Sequence, residues 1–156
     1  MKARMKKLIS IKSIPILALA LLIVLGTAWA ADHYPVSGVG KVSLYTLHGP
    51  VTLTIRGKDW MGEVDIELGK VIVRPGGVTQ YYDIVHNFYD EVGNTFTTIG
   101  DEITAPTGDM KLLKLSGYME ITEGTGLFKD ACGRLSVRGE MTPSMATFEV
   151  NGAMSF

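Results

Sequence analysis

Leu113-Lys114-Leu115-Ser116-Gly117-Tyr118-Met119-Glu120-Ile121-Thr122 is the stretch that decides the fold. Leu113, Leu115, Met119 and Ile121 alternate with Lys114, Ser116, Tyr118 and Glu120. Successive side chains on a strand point to opposite faces, so this period of two marks a strand with one buried face. The same reading extends in both directions. Val51, Leu53 and Ile55 alternate with Thr52, Thr54 and Arg56, and Val64, Ile66 and Leu68 with Glu63, Asp65 and Glu67. Leu135, Val137 and Met141 face away from Ser136, Arg138 and Glu140, and Phe148, Val150, Met154 and Phe156 from Thr147, Glu149, Asn151 and Ser155. After residue 31 no stretch keeps a helical period over three turns.

Turn chemistry separates these runs. Gly49-Pro50, Gly57-Lys58-Asp59, Pro75-Gly76-Gly77, Gly93-Asn94, Pro106-Thr107-Gly108-Asp109 and Gly124-Thr125-Gly126 supply the residues that tight turns need. Counting between them predicts about eight strands, near 36–46, 50–57, 62–73, 78–89, 94–105, 111–122, 134–142 and 146–156. Short consecutive strands with one apolar face predict an all-β, antiparallel up-and-down barrel, with a sandwich as the alternative. Closure removes the exposed edges that an open sheet would leave.

The chain has 156 residues, 46% of them hydrophobic and 20% charged, which suits one globular domain. Its charge is unevenly placed. Lys2, Arg4, Lys6, Lys7 and Lys12 crowd the first 31 residues, which hold no acid. The apolar run Ile14 to Leu25 follows, then Ala28-Trp29-Ala30, in the order of a secretory signal peptide over 1–30. The alternative, a retained anchor, needs roughly 20 apolar residues, and this run is shorter. The expectation is therefore export to the periplasm or extracellular medium, with a domain spanning 31–156 and no membrane contact after cleavage. Beyond residue 31 there are 10 basic and 16 acidic residues, a balance that argues against a nucleic-acid partner. Cys132 is the only cysteine, so no intramolecular disulfide supports the fold.

The stretch Gly117-Tyr118-Met119-Glu120-Ile121-Thr122-Glu123-Gly124-Thr125-Gly126-Leu127-Phe128-Lys129-Asp130-Ala131-Cys132-Gly133-Arg134-Leu135-Ser136-Val137-Arg138-Gly139 resembles the signature of allene-oxide-cyclase-like and dirigent-like barrels. His86-Asn87-Phe88-Tyr89-Asp90 with Gly93-Asn94-Thr95-Phe96-Thr97-Thr98 is similar to the preceding hairpin of bacterial members. The resemblance implies a calycin-like barrel, and by analogy a homo-oligomer. It departs from the family pattern at Glu123, Leu127 and Cys132, and it carries over no catalytic residue. In the family, plant enzymes cyclise a fatty-acid epoxide and dirigent proteins orient phenoxy radicals; fold analogy alone does not transfer either activity.

Chemistry-bearing residues are sparse. Gly124, Gly126, Phe128 and Gly133 read as a structural turn motif in which glycine supplies positive φ and Phe128 an apolar anchor. A phosphate cradle would open a helix, and here a strand follows. His33, His48 and His86 show no ligand spacing, so no metal or other cofactor is expected. Asp101 and Glu102 are neighbours on a strand and diverge, which disfavours a carboxylate pair. Cys132 has no evident histidine partner and reads as a packed or surface thiol. His86 shares parity with Tyr82, Ile84 and Phe88, the apolar face of its strand. The inward aliphatics, interleaved with Gly38, Gly40, Gly117, Gly139 and Gly152, leave room for a ligand. The expected function is non-enzymatic binding of a small apolar molecule, an acyl chain or aromatic compound, by Tyr82, Ile84, His86, Phe88, Leu115 and Phe148. Two alternatives stand: an isomerase or cyclase of an apolar substrate, and a packed structural or interaction barrel. Polar groups converging on His86 would separate enzyme from binder, and a cavity would separate binder from structural protein.

Overall fold

A computed structural model describes residues 32–156, and the expected signal segment lies outside the described residues. Nine strands follow in chain order: β1 Tyr34–Ser43, β2 His48–Ile55, β3 Lys58–Glu67, β4 Lys70–Val73, β5 Thr79–Tyr89, β6 Thr95–Pro106, β7 Leu113–Thr125, β8 Cys132–Met141 and β9 Met145–Ser155. All pair antiparallel. β9 returns to β1, with Tyr34 opposite Met154 and Ser43 opposite Met145. β3 pairs with β5 from Glu63–Tyr89 to Glu67–Val85, which closes the sheet. β4 continues β3 along the same edge of β5, Lys70 lying opposite Tyr82. The result is the eight-stranded antiparallel barrel that the alternation predicts, with one stave interrupted at Leu68-Gly69, and not a sandwich.

Two local irregularities change which side chains face inward. The β2–β3 hairpin turns on Arg56 and Gly57, with φ of 55° and 70°. Two successive left-handed residues make a turn whose twist matches the flanking strands. β3 therefore begins at Lys58 and not near residue 62, and it carries Trp60 into the core at 9% exposure. In β5, Tyr81 pairs with Glu102 but Ile84 pairs with Gly100, so one extra residue bulges out of the strand. Asp83 takes φ of 54° there. Aspartate tolerates the left-handed region better than most residues. A bulge of this kind reverses the inward parity of everything before it.

The core divides along the barrel axis. At the end where β1 starts, Trp60, Phe88, Phe96 and Phe128 pack together. The Phe88 and Phe96 rings stack at 4.4 Å, and Phe128 meets Phe96 at 4.8 Å and Trp60 at 5.4 Å, both edge-on. The single helical turn Gly126–Phe128 delivers Phe128 to this cluster. Asp90 ties the cluster to the backbone. Its Oδ1 accepts from the Val92 and Asn94 amides, and its Oδ2 from Asn94 Nδ2 at 2.7 Å and Trp60 Nε1 at 2.8 Å. Asn94 Oδ1 in turn accepts from the Leu127 amide. Gly126 has the expected left-handed φ of 58°, and Gly133 a φ of 149°. Gly124 differs from expectation: it is required because a side chain there would collide with the Phe128 backbone, and not for positive φ.

The inward glycines also depart from expectation, because they do not leave empty space. The Phe148 ring lies across Gly40, Leu53 covers Gly38, Leu135 covers Gly152, and the Glu102 side chain lies over Gly117. Phe156 does not fill the barrel either. It caps the closed end at 37% exposure, with the Arg56 guanidinium 4.3 Å from its ring centre.

Candidate functional site

The cavity sits in the half of the barrel away from the aromatic cluster and has a volume of about 230 Å³. Val42, Leu44, Ile66, Ile84, Leu115 and Val137 supply most of its wall. Phe88 and Phe148 border it, and Leu47, Leu68 and Met141 come from the strand ends around it. Strands of period two place these residues on one side of the sheet, so the apolar lining follows directly from the alternation.

Five of the six expected ligand-binding residues meet at this cavity: Ile84, His86, Phe88, Leu115 and Phe148. Tyr82 does not. The Asp83 bulge turns it outward, where its hydroxyl donates to Gln80 Oε1 at 2.9 Å. Tyr81 takes the place on the lining instead. The turn residues Gly124, Gly126, Phe128 and Gly133 belong to the closed end and do not line the cavity.

The lining carries one polar cluster. His86 Nε2 lies 3.2 Å from Glu102 Oε1, with the two side chains only 5% and 12% exposed. His86 Nδ1 lies 3.3 Å from the hydroxyl of Thr98, which is itself fully buried and 3.1 Å from Met119 Sδ. This arrangement suits either protonation state of the ring. When Nδ1 is bare, Thr98 donates to it; when Nδ1 carries a proton, Thr98 accepts and turns its own hydrogen towards Met119. Nε2 faces Glu102 Oε1 across 3.2 Å in both. The ring is thus held at both nitrogens, and the free hydrogen-bonding capacity of the cluster is at Glu102 Oε2, to which no side chain among the described residues donates.

Glu102 is the functional residue that sequence reasoning set aside. Asp101 and Glu102 do diverge as expected: Asp101 Oδ1 accepts the Asp83 amide on the outside. The missed signal was parity, since Glu102 shares the inner face of β6 with Phe96, Thr98 and Thr104. A side chain at Gly117 would come within 2.7 Å of the Glu102 Cγ, so the opposing glycine makes room for the carboxylate to lie inward.

The other candidates do not gather. His48 lies on the outer face, with Nδ1 2.9 Å from Asp65 Oδ1 and Nε2 3.7 Å from Glu63 Oε1. Next to it, burial and the charges and hydrogen bonding of Asp65 and Glu63 push the Tyr89 hydroxyl above its ordinary pKa. His33 Nδ1 lies 2.7 Å from the Ser155 hydroxyl at the closed end. Cys132 is exposed at the start of β8. No group of three metal-ligating side chains occurs among the described residues. Comparison with family models, curated proteins and solved structures gave no match.

Proposed function

We propose that the barrel is a non-enzymatic binding protein for one small, mostly apolar molecule, acting outside the cytoplasm. A single observation carries the reading: an apolar cavity of about 230 Å³ with a few convergent polar groups on its wall. That combination is the usual character of a small-molecule site. A packed structural barrel would fill this space. The size also narrows the ligand. A dry cavity of roughly 150 Å³ takes benzene. By proportion this one takes a body of roughly ten non-hydrogen atoms, so a long acyl chain would have to project from it. The resemblance of residues 117–139 to allene-oxide-cyclase-like and dirigent-like barrels suggests the isomerase or cyclase alternative instead, and adds a homo-oligomer by analogy.

The buried imidazole–carboxylate pair favours a second reading, an isomerase or cyclase acting on an apolar substrate, because such a pair can relay a proton. Glu102 and Thr98 do converge on His86, the feature named for an enzyme; the reading ranks second because, apart from Tyr81, the rest of the wall is apolar and offers no further acid, base or nucleophile. The test is native mass spectrometry of protein purified without detergent, with calorimetric titration of p-cymene and 1-octanol. The binding reading expects a co-purifying mass or a Kd below about 100 μM, worth roughly 5.5 kcal/mol. Neither a bound mass nor any such affinity would return the molecule to a structural role.

A further inference from the structure

We infer that the cavity selects apolar molecules with a hydrogen-bond-donating head, an alcohol or an amine, and rejects carboxylates. The inference rests on the proposed binding function and specifies its ligand class. It follows from how the polar cluster uses its atoms. His86 Nε2 lies 3.2 Å from Glu102 Oε1 and Nδ1 lies against the Thr98 hydroxyl, so both ring nitrogens already have a protein neighbour. Thr98 is fully buried behind the ring and Met119. The cluster's unspent capacity is the second oxygen of Glu102, whose lone pairs no side chain among the described residues engages.

A ligand hydroxyl or ammonium aimed at Oε2 would complete the set, His86–Glu102–ligand, with every member paired. A ligand carboxylate at the same place would bring two like charges together in an apolar cavity and leave both without donors. Buried charges without partners are costly, and a site built to pair one hydrogen-bonding type discriminates strongly against the other. The imidazole on the lining, His86, already faces Glu102. The cavity wall contains neither Lys nor Arg. Gly117 lies opposite Glu102, where a side chain would meet first the Asp101 carbonyl oxygen and then the Glu102 Cγ.

The experiment is a matched titration of 1-octanol, octylamine and octanoate at neutral pH, with p-cymene as a headless control. It uses protein expressed from the full sequence and purified without detergent. The expected result is that octanol and octylamine bind at least about tenfold more tightly than octanoate, equal to about 1.4 kcal/mol. Glu102→Gln keeps the side-chain shape and can donate through its amide, so it should shrink that ratio to about threefold or less by admitting octanoate. Thermal melting of the variant, together with its retained p-cymene affinity, checks that it is folded. Octanoate binding as tightly as octanol in the unaltered protein would overturn the inference while leaving the binding function standing. Failure of all four probes, p-cymene included, would instead remove the binding function itself.

Discussion

Where β1 begins, four aromatic rings pack together, one pair stacked and the others edge-on or tilted, and the loops are tied down by a carboxylate with four hydrogen bonds. Where β1 hands over to β2, the same staves enclose aliphatic walls, a cavity and an imidazole–carboxylate pair. The closed end follows the rules of a stable core: large rings in close contact, and an Asp90 carboxylate that accepts four hydrogen bonds. The open end breaks two of them, leaving space unfilled and placing a carboxylate indoors. Folded proteins tolerate such departures mainly where a site requires them. Concentrating stability at one end frees the other from having to pack well. The comparison can be broken by substitution, and the largest effect belongs at the closed end.

Phe96→Ala removes the ring that touches Phe88, Trp60 and Phe128 at once. It should cost about 3–5 kcal/mol. For a domain of this size that lowers the melting temperature by roughly 10 °C or more. Scanning calorimetry reads it directly, and a shift of only a degree or two would deny the closed end its role as the stabilising half.

On the proposed binding function the polar pair serves recognition, so the open end should respond differently. His86→Leu alone strands Glu102 in an apolar wall and should cost about 2–3 kcal/mol, less than a sealed pair because the cavity admits water. The double variant His86→Leu/Glu102→Leu should recover to within about 1 kcal/mol of the unaltered protein, since buried pairs are often replaceable by apolar residues. Chemical denaturation of the two variants measures both. A double variant less stable than the single one would make the pair a structural element and erase the contrast between the ends.

How much of this was legible beforehand depends on whether the signal was local. The staves were, because Leu113 to Thr122 and its counterparts show their buried face directly in the alternation. So was the inward direction of His86, which lies between Ile84 and Phe88 beyond the reach of the bulge. Tyr82 was not. One left-handed residue, Asp83, shifts the count, and aspartate is too common in turns and strand ends to announce a bulge. Trp60 was hidden for a related reason: Arg56-Gly57 already completes the turn that Lys58 and Asp59 seemed to prolong. Glu102 was illegible for an energetic reason. A carboxylate counts as an outward residue in any pattern, and only His86 from the next strand and the absent side chain at Gly117 make its inward position tolerable. Neither partner is a local signal.

A smaller effect tests the wiring of the closed end. Burial pushes the Asp90 pKa upward, but hydrogen bonds from Asn94, Trp60 and Val92 outweigh it and hold the group below its ordinary value of 3.8. A folded-state pKa below the unfolded one means a contribution to stability that is present above the ordinary carboxylate range. That contribution is lost as pH falls through the depressed value. Asp90→Asn keeps the shape but turns one acceptor oxygen into a donor facing Trp60 Nε1 and Asn94 Nδ2. The expected cost near neutrality is about 1–2 kcal/mol. The loss should narrow as pH drops below about 4. Melting curves across that range check the sign, and a constant difference between the two proteins would show that the Asp90 charge contributes nothing.

The smallest expected change separates an unused polar atom from a used one at the open end. Thr104 lies on the inner face of β6, fully buried, and its hydroxyl has no hydrogen-bond partner. It differs from Thr98, whose hydroxyl lies against both His86 and Met119. An unpartnered buried hydroxyl costs stability, because it gave up water and received nothing in exchange. Thr104→Val keeps the branched shape and removes that oxygen, so it should leave stability unchanged or raise it by up to about 1 kcal/mol. Thr98→Val removes an oxygen that the imidazole uses, and should lower stability by about 1 kcal/mol. It should also weaken octanol binding, because a ring released at Nδ1 no longer holds Glu102 in place. Calorimetry and titration on the two valine variants together give a paired reading. Equal effects at the two positions would mean that the polar cluster ends at His86 and Glu102, with Thr98 no more than packing.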